Sequence, residues 1–163
     1  MVKLPEIKDK ELHRICTTTI IYKSDFTYLI TKRSPNKKAH PNKWTVPGGG
    51  LNTDDYIHTE PTTTGAPQWY GALEKSLYRE IKEEVNLDIE KPEFLVDLTF
   101  IRPDGIPVIV FSYFAKYKSG EVKLDEDSVE FVWVNLEEAK KYDLIDEIWD
   151  EIYQVDQILK SRK

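Results

Sequence analysis

Arg79-Glu80-Ile81-Lys82-Glu83-Glu84 sets three carboxylates at i, i+3 and i+4 beside one arginine. It lies within residues 69–86, where Leu73, Leu77, Ile81 and Val85 recur every four residues and predict an amphipathic helix packed on a sheet. On that helix Glu80, Glu83 and Arg79 are expected on the side away from the apolar stripe, with Glu84 at its boundary. Carboxylates one turn apart repel unless a cation lies between them. A hard divalent ion meets that need, because Mg²⁺ takes a few carboxylates and completes its octahedron with water and substrate phosphates. Arg79 is placed to pair with Glu83 one turn on. Alone, the string also reads as the solvated face of an ordinary charged helix, so its surroundings decide.

Upstream, residues 15–22 and 26–31 are rich in β-branched and aromatic residues and flank Lys23-Ser24-Asp25, which predicts a two-stranded hairpin. Residues 32–43 are polar, basic and twice interrupted by proline, as loops are. Trp44-Thr45-Val46 predicts a short strand that Pro47 and the three following glycines end. Residues 51–68, with two prolines and few apolar side chains, predict a long surface loop. Downstream, Asn86 suits a left-handed helix stop. Residues 94–101 and 106–118 predict a second hairpin around Arg102-Pro103-Asp104-Gly105. Residues 129–134 predict another strand, and 136–142 and 145–159 two helices. Hairpins mixed with helices, without strict βα alternation, imply an α+β or α/β/α sandwich around a mixed sheet.

The chain has 163 residues, which fits one domain, 1–163. A net charge of -6 argues against binding a nucleic-acid polymer through phosphate contacts. Cys16 stands alone, so no intramolecular disulfide forms, and its apolar neighbours predict a buried thiol in a reducing, cytoplasmic setting. Neither a signal-peptide pattern nor a membrane-length apolar run is present in the sequence.

The strand ending in Pro47-Gly48-Gly49-Gly50, followed by the acidic helix, resembles the Nudix hydrolase (MutT-like) family. Its box runs G, five residues, E, seven residues, then R-E-U-x-E-E-x-G-U, where U is aliphatic. Arg79, Glu80, Ile81, Glu83, Glu84 and Leu87 match the second half in register, and Phe131-Val132-Trp133-Val134-Asn135-Leu136-Glu137-Glu138-Ala139 looks like the family's closing strand and helix. The resemblance implies the Nudix α/β/α sandwich and metal-assisted hydrolysis of a nucleoside diphosphate derivative, such as a nucleoside triphosphate or a nucleotide sugar. It implies Mg²⁺ (or Mn²⁺) as cofactor and a nucleotide as partner. It also leaves a homodimer open, since many relatives are dimers. Glu83 and Glu84 are the leading ligands, Glu80 is ligand or general base, Arg79 orients them, and the Gly48 carbonyl is a further ligand. A catalytically weak Nudix-fold module that binds nucleotide or protein is the alternative.

Three departures stand out. Gly49 and Arg79 are 30 positions apart where the box has 14, so about 16 residues are inserted, within 51–68. Gly71 occupies the position of the first box glutamate; Glu74, Glu60, Asp54 and Asp55 are candidates to replace it, and the sequence does not choose between them. Asn86 replaces the box glycine, a mild change because asparagine tolerates the left-handed region. The insertion, anchored between Gly48 and the helix, is placed to cover the cleft and take part in substrate selection. Weaker substrate-binding candidates are Lys32 and Arg33 at a strand end, Asp127 and Glu130 near the last strand, and Trp69, which could stack on a base. Each also has an ordinary reading as a solvated or packing residue. His13, His40 and His58 show no site spacing. Pro103 lies 16 residues beyond Leu87, as in relatives that hydrolyse ADP-ribose, but its turn explains it locally.

Overall fold

The computed structural model describes residues 6, 9–63, 65 and 67–162. Among them, eight strands form one mixed sheet. Its centre is β1 (Arg14–Tyr22) running parallel to β7 (Pro107–Ser119), in register from Arg14↔Val108 to Tyr22↔Lys116. β6 (Glu93–Ile101) and the two-residue β5 (Asp88–Ile89) pair antiparallel with β7. On the other side, β2 (Tyr28–Arg33) pairs antiparallel with β8 (Ser128–Val134) and β3 (Trp44–Thr45).

The expected hairpin of the first two strands is largely opened. β1 meets β2 at one register pair, Tyr22↔Tyr28, and further along its edge is taken by β4 (Gly48–Gly50), antiparallel to residues 16–18. The three glycines therefore continue as a strand where the sequence predicted that strand pairing would stop. β2 begins at Tyr28 rather than residue 26 because Phe26 sits in the turn with φ 61°. The second hairpin matches expectation, with Gly105 at φ 81° in its turn.

Successive residues of the inner strands point to opposite faces, and both faces are covered. Ile20, Tyr28, Ile30 and Phe114 join Ile152 and Val155 of α3 (Ile148–Ser161) on one face. Ile21, Leu29 and Ala115 join Leu77, Ile81 and Val85 of α1 (Ala72–Val85) on the other. This is the α+β sandwich the sequence implied. α1 starts at Ala72 rather than residue 69, because Gly71 caps it in a left-handed conformation, φ 75°. It ends at the left-handed Asn86, whose N–H donates to the Lys82 carbonyl. The helix expected over 136–142 is the single turn α2 (Leu136–Ala139), capped reciprocally by Asn135 and Glu138. α3 begins late because Glu147 is left-handed, φ 70°. Cys16 is half-buried rather than buried, since full burial of β1 starts at Thr17. Among the described residues no helix is long and apolar enough to cross a membrane.

Under α3 lies a polar exception to this core. Glu151 is buried, its Oε2 has no hydrogen-bond partner, and burial raises its pKa from the ordinary 4.5. A raised folded pKa gives stability that is complete below about pH 4.5 and is lost as pH rises through the folded value. Glu151→Gln should therefore flatten this dependence and raise the melting temperature above neutrality, read by thermal melts from pH 4.5 to 8.5.

Candidate active site

β4 lies against β1 on one side and α1 on the other, closer than side chains allow. A Cβ at Gly48 would collide with the Thr17 carbonyl oxygen, and one at Gly49 with the Glu80 carboxylate. The absence of side chains lets backbone and carboxylates meet. The Gly48 N–H donates to Glu84 Oε2 at 2.8 Å.

That contact divides the acidic cluster. Glu80 and Glu84, four residues apart, turn inward onto the glycine strand, while Glu83 faces solvent, its side chain 58% exposed against 14% for Glu80. The sequence placed Glu80 outward with Glu83; the room left by Gly49 draws it in instead.

Arg79 spreads its donors over both sides of the cluster. Its Nη1 ion-pairs with Glu80 Oε1 and Glu83 Oε2, each at 2.9 Å. Its Nε and Nη2 form a two-pronged pair with Asp55 at 2.5 and 3.1 Å, and Nη2 also donates to the Gly50 carbonyl at 3.1 Å. Asp55 closes the 3₁₀ turn Thr53–Asp55, where its Oδ2 accepts the Asn52 N–H at 2.8 Å and Asn52 caps the turn in return. Only 3% of its side chain is exposed.

These contacts set the charge states. Desolvation pushes Glu84 up to about 8, Glu80, Asp125 and Asp127 add repulsion, and the Gly48 N–H pulls the other way. Desolvation likewise raises Glu80, opposed by Arg79. Asp55 is lowered by its Arg79 hydrogen bonds. Burial lowers Arg33, while Glu84 and Asp127 favour its charged form.

The structure thus gathers Arg79, Glu80, Glu83, Glu84 and Gly48, and sets Arg33 and Asp127 in the same field. Arg33 also donates Nε to the Ala39 carbonyl, and Asp127 ion-pairs with Lys37 at 2.7 Å. Lys32 and Glu130 instead pair with each other across β2 and β8 at 2.7 Å. Trp69 packs on Tyr56 and donates Nε1 to the Thr59 carbonyl, so its ring is engaged within the insertion. His13, His40 and His58 are exposed. Asp55 was one of four equal candidates in the sequence; five residues separate it from Gly49, as the box separates its glycine from its first acid, so the inserted residues follow Asp55 and Gly71 is not the box position.

Among the described residues, no three acidic, histidine or cysteine side chains converge tightly enough to grip an ion unaided. The donors nevertheless fit one that brings other ligands. Glu80 and Glu84 are hard-oxygen donors whose pKa values are raised chiefly by desolvation, so a bound cation would favour their charged forms. An ion that takes a few carboxylates and leaves positions for water and phosphate matches such a set.

The NUDIX domain profile matches residues 12–154, and the chain belongs to the Nudix hydrolase family. The nucleoside triphosphatase NudI of Escherichia coli O17:K52:H18 is 24% identical over 135 residues, 76% of this chain and 84% of that protein. The MutT protein from Methanosarcina mazei Go1 superposes with a TM-score of 0.66 at 21% identity, covering 100% of both chains. The NUDIX domain of Shewanella oneidensis NrtR, complexed with ADP ribose, gives 0.70 at 14% identity over 91% of this chain and 90% of that one. At these identities the superpositions establish the fold.

Because the folded Glu84 holds its proton up to about pH 8, its contribution to stability is full below 4.5 and is lost as pH climbs toward 8. In the presence of chelator, Glu84→Gln should melt several degrees above the parent chain at pH 9, with the two converging near pH 4.5.

Proposed function

We propose that this chain is a divalent-metal-dependent nucleotide pyrophosphohydrolase, cleaving a phosphoanhydride bond in a nucleoside diphosphate derivative, with nucleoside triphosphates as the first substrates to examine. The observation that carries the reading is the pair of desolvated carboxylates, Glu80 and Glu84, held against a side-chain-free strand, Glu84 met by the Gly48 N–H and Glu80 by one guanidinium nitrogen of Arg79. The triphosphatase name of the NudI relative favours the substrate class.

Glu84, Glu80, Glu83 and the Gly48 carbonyl would hold Mg²⁺ or Mn²⁺. Bound there, the ion neutralises phosphate oxygens and lowers the pKa of a water. Glu84 is fixed by the Gly48 N–H, so its second oxygen is presented in one orientation. Glu80, whose pKa desolvation raises above its ordinary value, is suited to take a proton from the attacking water. Arg79 fixes the rotamers of Glu80 and Glu83 through one nitrogen. Arg33, charged and half-buried near Glu84, is the basic side chain best placed to meet phosphate; Lys32 and Glu130, satisfied by each other, are secondary. A homodimer is the oligomeric state to test by light scattering.

A nucleotide panel with Mg²⁺ or Mn²⁺, assayed for pyrophosphate and phosphate release, tests the proposal. The parent chain should turn over at least one nucleoside triphosphate or diphosphate derivative. Glu83→Gln/Glu84→Gln should lose at least a hundredfold in kcat while remaining folded. Nucleotide binding without turnover, unaffected by the double substitution and by chelator, would identify a binding module instead.

A further inference from the structure

We propose that the flank of α1 turned away from β4 carries a second ligand site, one for a nucleoside monophosphate, that needs neither the acidic cluster nor a metal ion. A cavity of about 520 Å³ opens there between α1, the residues that lead into β5, and the end of β7. Small-molecule sites occupy roughly 300–1,000 Å³. The site goes beyond the proposed hydrolysis and does not rest on it.

The helix itself separates the two sites. Tyr78 and Lys82 line the cavity, each two positions before a glutamate that faces β4, and two residues turn a helix by about 200°. Of the helix residues lining the cavity, Arg79 alone also reaches the acidic cluster. Its nitrogens are committed to Asp55, the Gly50 carbonyl and two glutamates, so it lends the cavity positive field rather than a hydrogen bond.

Charge names one end of the ligand. The chain carries a net -6, yet Arg79, Lys82 and Lys118 face this cavity against a single acid, Asp88. Asp88 is already engaged: its Oδ1 pairs with Lys82 at 3.1 Å and its Oδ2 accepts from Ser119 Oγ at 3.1 Å. These two bonds hold its pKa below the ordinary value, and the Lys82 and Lys118 charges add to them. Among the described residues no carboxylate lies within ion-pair distance of Lys118. A phosphate entering the cavity therefore meets one unpaired ammonium and a second shared with one carboxylate, and its several oxygens can accept from both. Packing names the other end. Leu87 and Ile89 are buried and form an apolar floor, and the exposed Tyr78 ring stands beside it with its hydroxyl bonded to Glu74, which leaves the ring face for a planar group. A base and a phosphate on one molecule use both ends; inorganic phosphate leaves the ring unused, and an uncharged nucleoside leaves the lysines unused.

Amide chemical shifts of the ¹⁵N-labelled full chain, titrated with AMP in the presence of chelator, test this without turnover. The amides of Leu87, Asp88 and Ser119 should shift and saturate together. Lys118→Glu should weaken AMP binding about tenfold or more, the size of one charge-assisted hydrogen bond, and Lys118→Gln should weaken it in the same direction by less. Glu83→Gln/Glu84→Gln should leave the affinity within about twofold, since neither side chain lines the cavity. Inorganic phosphate should bind about tenfold more weakly than AMP, adenosine should give no saturable shift, and Tyr78→Leu should remove most of the preference for AMP over phosphate. No saturable shift around Ser119, or AMP affinity unchanged in both Lys118 variants, overturns the site. Phosphate bound as tightly as AMP would identify a free-phosphate site and overturn the nucleotide reading. Shifts centred on Gly48 and Glu84 that vanish in Glu83→Gln/Glu84→Gln would place AMP in the acidic cluster and overturn it as well. A chain that hydrolyses nucleotides but shows no AMP binding on this flank keeps the enzymatic proposal and loses this one, and Lys118-dependent binding in a chain that hydrolyses nothing does the reverse.

Discussion

Close approach of α1 to β4 is the constraint on which the site depends. Three consecutive glycines each meet one group of the helix: Gly48 donates to Glu84, Gly49 leaves room for the Glu80 carboxylate, and the Gly50 carbonyl accepts from Arg79. As residue numbers rise along the strand they fall along the helix, so strand and helix are matched in opposite directions. Leu77, Ile81 and Val85 fix the helix from beneath, and these contacts fix its rotation. A side chain at Gly49 would collide with the Glu80 carboxylate and push the helix away, separating all three pairs together.

Holding two carboxylates out of water lowers stability, and the fold offsets this only in part. The Gly48 N–H gives Glu84 one hydrogen bond, and Arg79 gives Glu80 one nitrogen. The remaining deficit is visible as raised pKa values, the condition expected where a protein keeps acids ready for a ligand rather than for its own integrity. Asp55 stands in contrast, with its charge met by a guanidinium and its pKa lowered. Neighbouring acids of the same chemistry thus serve opposite ends: one supports the scaffold, and two are left short of charge.

Much of this was legible in the sequence. Apolar spacing located α1, the Arg-Pro-Asp-Gly turn located the β6–β7 hairpin, and the register of Arg79, Glu80, Glu83 and Glu84 located the acidic helix. What failed was non-local. The glycine strand was missed because glycine carries a low strand propensity, and its pairing depends on β1 having an open edge. The inward turn of Glu80 was missed for the same reason: helix periodicity counts only the helix, while Gly49 is what makes room. The short β5 carries too few residues to leave a pattern. Asp55 was undecided because the insertion separates it from Arg79, although its distance from Gly49 is that of the box's first acid.

The partnership of β1 with β7 has a bearing on how the molecule comes into being. Arg14 waits for Val108, and Tyr28 for Val134, so both inner strands near the start of the chain find their long partners only when its last third is available. Such wide sequence separation slows folding and favours late, concerted assembly over stepwise growth from one end. During synthesis the early strands emerge with their edges bare, and the acidic helix can be seated only after the sheet beneath it closes.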